Sequence, residues 1–108
     1  MKLQLERTPT AICAVLTEQS ACDRIITVAR ASDAIDALAL DIHTAALKPL
    51  DALFSLPRVV CVEIERREGG WRVEVAYWHK GLGTLAQYEE DAATLSEALA
   101  RCVWALAG

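Results

Sequence analysis

The sequence predicts an α+β fold in which an antiparallel sheet of five or six strands carries two helices. Three observations predict it. Residues 58–80 hold two runs rich in β-branched and aromatic side chains around Glu68-Gly69-Gly70, the pattern of a β-hairpin. After Ser32-Asp33, the residues Ile35, Leu38, Ala39, Ile42 and Ala46 recur at spacings of three and four, the pattern of an amphipathic helix. A capping box at Thr94-x-x-Glu97 then opens a second helix, with Leu95, Ala98, Leu99, Cys102, Val103 and Leu106 as its apolar stripe.

The hairpin fixes which residues share a face and leaves two registers open. In its second run Trp71, Val73, Val75 and Tyr77 share one face, and Arg72, Glu74, Ala76 and Trp78 the other. In the first, Val60, Val62 and Ile64 oppose Cys61, Glu63 and Glu65. A loop at Glu68-Gly69 sets Ile64 against Val73, Val62 against Val75, Val60 against Tyr77 and Glu65 against Arg72. A loop at Gly69-Gly70 shifts the pairing by two residues and keeps the same faces, whereas a slip of one residue would bury the charges.

Taken in order, residues 2–7 alternate Lys2, Gln4 and Glu6 against Leu3 and Leu5, as a strand does. Thr8-Pro9-Thr10 breaks the chain, and Ala11 to Thr17 fits a strand or a helix capped at Thr8-Pro9. Arg24 to Arg30 is dense in β-branched residues and reads as strand, with Ser20-x-x-Asp23 offering a capping-box alternative for a helix over 21–30. The first helix is expected to end near Leu47, because Lys48 precedes Pro49. Leu50 to Pro57 then connects to the hairpin, with Leu53, Phe54 and Leu56 plugging the core. Thr84 to Glu89 reads as a further strand, and Glu89-Glu90-Asp91 as an acidic step before the last helix.

One domain accounts for all 108 residues. Apolar residues form 54 %, which excludes disorder, and a net charge of −4 argues against nucleic acid as the main partner and for a basic protein surface. No apolar run reaches the roughly 20 residues of a membrane span, and the first residues show no secretory signal. The four cysteines, at 13, 22, 61 and 102, form no Cys-x-x-Cys. They read as reduced apolar residues of a cytosolic protein, with no metal and no cofactor implied.

An offset of 61 superposes Asp36–Ala39 on Glu97–Ala100, Ile12, Ala14 and Leu16 on Val73, Val75 and Tyr77, and residues 25–28 on 86–89. Two half-repeats, 1–48 and 58–108, each three strands and a helix, would follow. The pattern Trp71-x-Val73-x-Val75 with Thr94 to Cys102 resembles small phage-encoded α/β sandwich proteins. It is similar also to the β-β-β-α partner domains of HicB-type antitoxins. The resemblance covers residues 58–107 and implies a mobile-element protein that acts by binding, with no catalytic residue to carry over.

No motif for chemistry stands out. His79 closes a strand, yet no serine, cysteine or acid stands at a spacing that makes a triad with it, so an exposed histidine is expected. His43 is expected to be a solvated neighbour of Asp36 or Asp41. Glu63, Glu65 and Glu74 share a face with Arg67 and Arg72 and read as an ion-pair ladder. Two tryptophans fit the core less well. Trp104 points opposite the apolar stripe of the last helix, beside Glu97 and Arg101. Trp78 lies on the charged face of the hairpin with Glu74 and Arg72, near Val59, Cys61 and Ala76, unless a helix covers that end. These six residues, Trp104, Arg101, Glu97, Trp78, Glu74 and Arg72, are the candidate contacts to a protein partner or to a second copy in a homodimer. The expected function is a non-enzymatic binding protein: an inhibitor, antitoxin or immunity-type factor that caps a partner. The alternatives are a small enzyme or ligand-binding domain with a pocket near His79, Tyr77 and Cys61, and a self-associating assembly component.

Overall fold

A computed structural model describes residues 1–19 and 22–107. Six strands, β1 (Lys2–Arg7), β2 (Ile12–Thr17), β3 (Arg24–Val28), β4 (Val59–Arg67), β5 (Gly70–Trp78) and β6 (Leu85–Ala92), form one antiparallel sheet in the order β3-β2-β1-β4-β5-β6. Three helices, α1 (Ala31–Ala37), α2 (Leu47–Phe54) and α3 (Leu95–Ala107), cover one face of it. The class is the expected α+β, with one helix more than the sequence pattern indicated. Residues 24–28 are strand, so the helix considered over 21–30 is excluded there, and Ser20 of its capping box lies outside the described residues.

Of the two registers the sequence allows, the hairpin takes that of the Glu68-Gly69 loop, Ile64 opposite Val73, Val62 opposite Val75 and Glu65 opposite Arg72, with Gly69 at φ +80° in the turn. One expectation fails at its far end. A bulge between Val59 and Cys61 puts Val59, not Val60, opposite Tyr77 and turns Val59 into the core. A bulge adds one residue to one strand, so alternation beyond it changes phase. The last strand also runs on to Ala92, which makes Glu89, Glu90 and Asp91 strand residues rather than a step before the helix. Thr94 still caps α3, its Oγ1 accepting from the Glu97 N–H at 3.3 Å.

The expected single helix over 33–47 is interrupted, with α1 ending at Ala37 and α2 beginning only at Leu47. α1 ends in a Schellman motif: Ala39 sits at φ +52°, its N–H donates to Asp36 O, and the Leu40 N–H donates to Ile35 O, both at 3.0 Å. A short 3-10 turn, Thr44–Ala46, then leads into α2, with His43 Nδ1 accepting the Ala45 N–H at 3.1 Å. His43 is exposed, as expected, lines the same hollow as Asp41, and also caps this turn. Pro49 does not end a helix but lies in the first turn of α2, where no backbone N–H is required. The stretch read as a connector is thus a helix that buries Leu50, Leu53 and Phe54.

One apolar cluster fills the space between the layers, built from Leu3, Leu5, Val62, Ile64, Val73 and Val75 below and Leu38, Leu50, Leu53 and Leu99 above. Two arginines tie helix ends to strand ends. Arg7 donates to Phe54 O at 2.5 Å and Val59 O at 2.8 Å, and Arg58 donates to Leu106 O at 2.8 Å. Both satisfy C-terminal carbonyls that a helix leaves unpaired.

The strand order is symmetric about the β1–β4 pair, and each triplet of strands is followed by a helix. The offset of 61 carries inward Ile12 and Ala14 onto inward Val73 and Val75. It also carries half-buried Ile26 onto exposed Gln87, so the third strand needs one residue more.

Candidate functional site

α3 buries Leu95, Ala98, Leu99, Cys102 and Leu106. A step of about 100° per residue sends Trp104 to the opposite side, and it stands 85 % exposed. The Cys102 thiol, shut in under the helix, is pushed up to about 12 by burial and then by Glu90. Beside Trp104 run Glu97 and Arg101, whose guanidinium donates to Glu97 Oε1 at 2.5 Å and lies 4.0 Å from Glu90. These three candidates form one surface.

Trp104 rises between two hollows. An open groove of about 960 Å³ separates α3 from α2, with Lys48, Pro49, Ala52, Ala100 and Val103 along it. A smaller notch of about 460 Å³ lies between α3 and β6, lined by Tyr88, Glu90, Glu97, Arg101 and Ala105. In the notch the Tyr88 hydroxyl donates to Glu90 at 2.5 Å. That hydrogen bond, ahead of desolvation, pushes the phenol up to about 12.

The other three candidates lie on the opposite face of the sheet, which none of these three helices covers. Trp78 is 48 % exposed, directly across from Leu85 at 55 %, with Leu82 at 72 % in the turn that joins them. Glu74 and Arg72 sit farther along β5 inside a ladder: Arg72 pairs with Glu74 at 3.5 Å, Asp91 at 3.8 Å and with Glu89, Arg67 pairs with Glu65 at 3.2 Å, and Lys2 pairs with Glu63. Across it, Glu63, Glu74 and Glu89 stand side by side on three adjacent strands. Like charges so placed repel, and Arg72 and Lys2 offset that. Desolvation opposes the Arg72 charge, but the surrounding carboxylates raise its pKa overall. Glu89 is held below the ordinary carboxylate range by its hydrogen bond with Glu74 and then by Arg72.

The structure therefore splits the six residues into two groups on opposite sides of the molecule. Sequence reasoning missed Lys2, Glu89 and Asp91 in the ladder, the α2 wall of the groove, and the Leu82/Leu85 pair. Counting back across the turn from Trp78 would have found Leu85.

The pocket expected from His79, Tyr77 and Cys61 does not assemble. Tyr77 lies on the helix-covered face under Arg58, whereas Cys61 lies on the open face opposite Ala76. His79 is exposed, its Nδ1 accepting the Gly81 N–H at 3.2 Å. Burial, then Glu6, raises the Cys61 thiol, which disfavours the thiolate that nucleophilic chemistry needs.

Among the described residues no group of three His, Cys, Asp or Glu side chains could hold a metal ion, and no helix is long and apolar enough to cross a membrane. Comparison of the chain with protein-family models, with curated proteins and with solved structures finds no match.

Proposed function

We propose that the chain is a non-enzymatic protein-binding module that caps a partner through the α3 surface centred on Trp104. The observation that carries this reading is the 85 % exposure of Trp104 on a helix whose opposite face is buried. A large aromatic left in water contributes little to a monomer, and tryptophan flanked by arginine is the composition of an interface hot spot. The groove beside it supplies apolar area, while Glu97 and Glu90 supply negative charge for a basic partner. A net charge of −4 disfavours nucleic acid.

The class is that of an inhibitor, antitoxin or immunity-type factor. The likeness of residues 58–107 to phage sandwich proteins and to HicB-type partner domains supports that class. Cytoplasmic residence suits the four free thiols.

Parallel affinity captures from the native host with the wild-type chain, Trp104→Ala and Trp78→Ala test this. A partner held by wild type and by Trp78→Ala but lost with Trp104→Ala supports the reading. A partner indifferent to Trp104 contradicts it.

A further inference from the structure

β3 and β6 are the two edges of the sheet, and their unpaired backbone groups are placed to meet each other. In an antiparallel ladder, alternate residues turn their N–H and C=O toward a given neighbour. His79 N–H donates to Thr84 O at 2.8 Å, which sets the phase of the β5–β6 ladder. Leu85, Gln87, Glu89 and Asp91 consequently turn their backbone outward. Arg66 N–H donates to Met1 O at 3.2 Å, and carrying that phase across β1 and β2 leaves Ile25 and Thr27 turned outward on β3.

All six of these residues also carry their side chains on the open face. Residues paired across an antiparallel ladder share a face, so β3 of one molecule fits β6 of another with both sets of helices on the same side. In a six-stranded antiparallel sheet the two edge strands run in opposite directions, so a copy in the same orientation presents β3 antiparallel to β6.

The edges differ in charge. β6 holds Glu89, Glu90 and Asp91 and no base, whereas β3 holds Arg24 and no acid, followed by Ile25, Ile26, Thr27 and Val28. Two β6 edges repel one another. β3 against β6 attracts. Among the described residues Arg24 pairs with no carboxylate, and its guanidinium reaches only Leu38 O at 3.4 Å.

We propose that the chain associates head to tail with copies of itself, β3 of one molecule adding to β6 of the next to continue the sheet. Arg24 then stands opposite Glu90, Ile25 opposite Glu89, Ile26 opposite Tyr88 and Thr27 opposite Gln87. Arg24 and Ile26 enter the notch between α3 and β6, with Trp104 at its lip. Asp23 meets Asp91 at the end of the ladder, the one like-charge contact in this register. The interface is heterologous and propagates unless a ring closes. This rests on the reading of the Trp104 surface as a contact and names a second copy as what reaches its β6 side.

Sedimentation velocity on purified chains tests it. Thr27→Pro removes an outward N–H from β3 and Gln87→Pro one from β6, each without touching the inner ladder. The wild type should associate with rising concentration, each proline variant alone should be monomeric, and their mixture should form a 1:1 heterodimer, because one intact β3 edge and one intact β6 edge remain. Where circular dichroism shows a proline variant unfolded, Arg24→Glu and Glu90→Arg replace them. Each alone should weaken association at least about tenfold, and both in one chain should restore it. Asp23→Asn should tighten it. A monomeric wild type, or a Thr27→Pro chain that still self-associates, overturns the inference. Either result leaves Trp104-dependent capture of a foreign protein to be judged separately.

Discussion

The two faces of the sheet handle their side chains by different physics, and β5 shows both at once. Toward the helices it presents Trp71, Val73, Val75 and Tyr77, of which Val73 and Val75 are wholly buried. Toward the open side it presents Arg72, Glu74, Ala76 and Trp78. The covered face removes apolar area from water. The open face instead satisfies its charges with one another, Arg72 serving Glu74, Glu89 and Asp91. Contact surfaces are to be sought where neither solution has been applied. Trp104 on α3 is the clearest case, and the Trp78/Leu82/Leu85 corner is the next.

The largest expected effect breaks the covered face. Val73→Asp places an unpaired charge at a site with no exposure and should destabilise the fold by about 4 kcal/mol or more in denaturant unfolding. Glu74→Val, one residue along and on the other face, should cost far less. Equal costs would mean that the faces do not differ as described.

Thiol labelling sharpens the same contrast. Cys22 is exposed, Cys13 and Cys61 are half-buried on the open face, and Cys102 is buried under α3. Alkylation of the folded chain at pH 8 should label Cys22 first and Cys102 last, with all four labelled once the chain unfolds. Early labelling of Cys102 would show that α3 does not seal the core.

The ladder makes a smaller, pH-dependent contribution. Glu89 has its folded pKa lowered, so its stabilisation is present above the unfolded carboxylate pKa and is lost as pH falls through the folded value. Arg72→Met should accordingly lower the melting temperature at pH 7, and the gap from wild type should narrow in acid. A gap that stays constant with pH would assign Arg72 a packing role instead.

Much of this contrast was legible in the sequence, because period-two alternation reports which face a strand residue takes. The hairpin faces followed from Val62, Ile64, Val73 and Val75, although alternation alone allowed a loop at Glu68-Gly69 or at Gly69-Gly70. Trp104 stood out because it lies across the helix from Leu95 and Leu106. What sequence could not show were local breaks in phase. The bulge that turns Val59 inward leaves the alternation on either side intact. Ile35, Leu38, Ile42 and Ala46 keep helical spacing even though Ala39 reverses the chain without a glycine. Pro49 stops a helix or starts one, depending on which neighbours are already helical. Partners distant in sequence, such as Lys2 with Glu63 and Arg72 with Glu89, became visible only once the strand order was known.

The smallest expected effect on stability belongs to the residue on which the account depends most. Trp104→Ala removes a side chain that is 85 % exposed and should shift the melting temperature by only about 2 °C. The same substitution should weaken association with the partner by about 2 kcal/mol or more, as loss of an aromatic anchor does. Melting and binding measured side by side on this one variant decide the matter. A preserved melt with lost binding is the predicted result, and a collapsed fold with binding intact in the surviving protein would contradict the account.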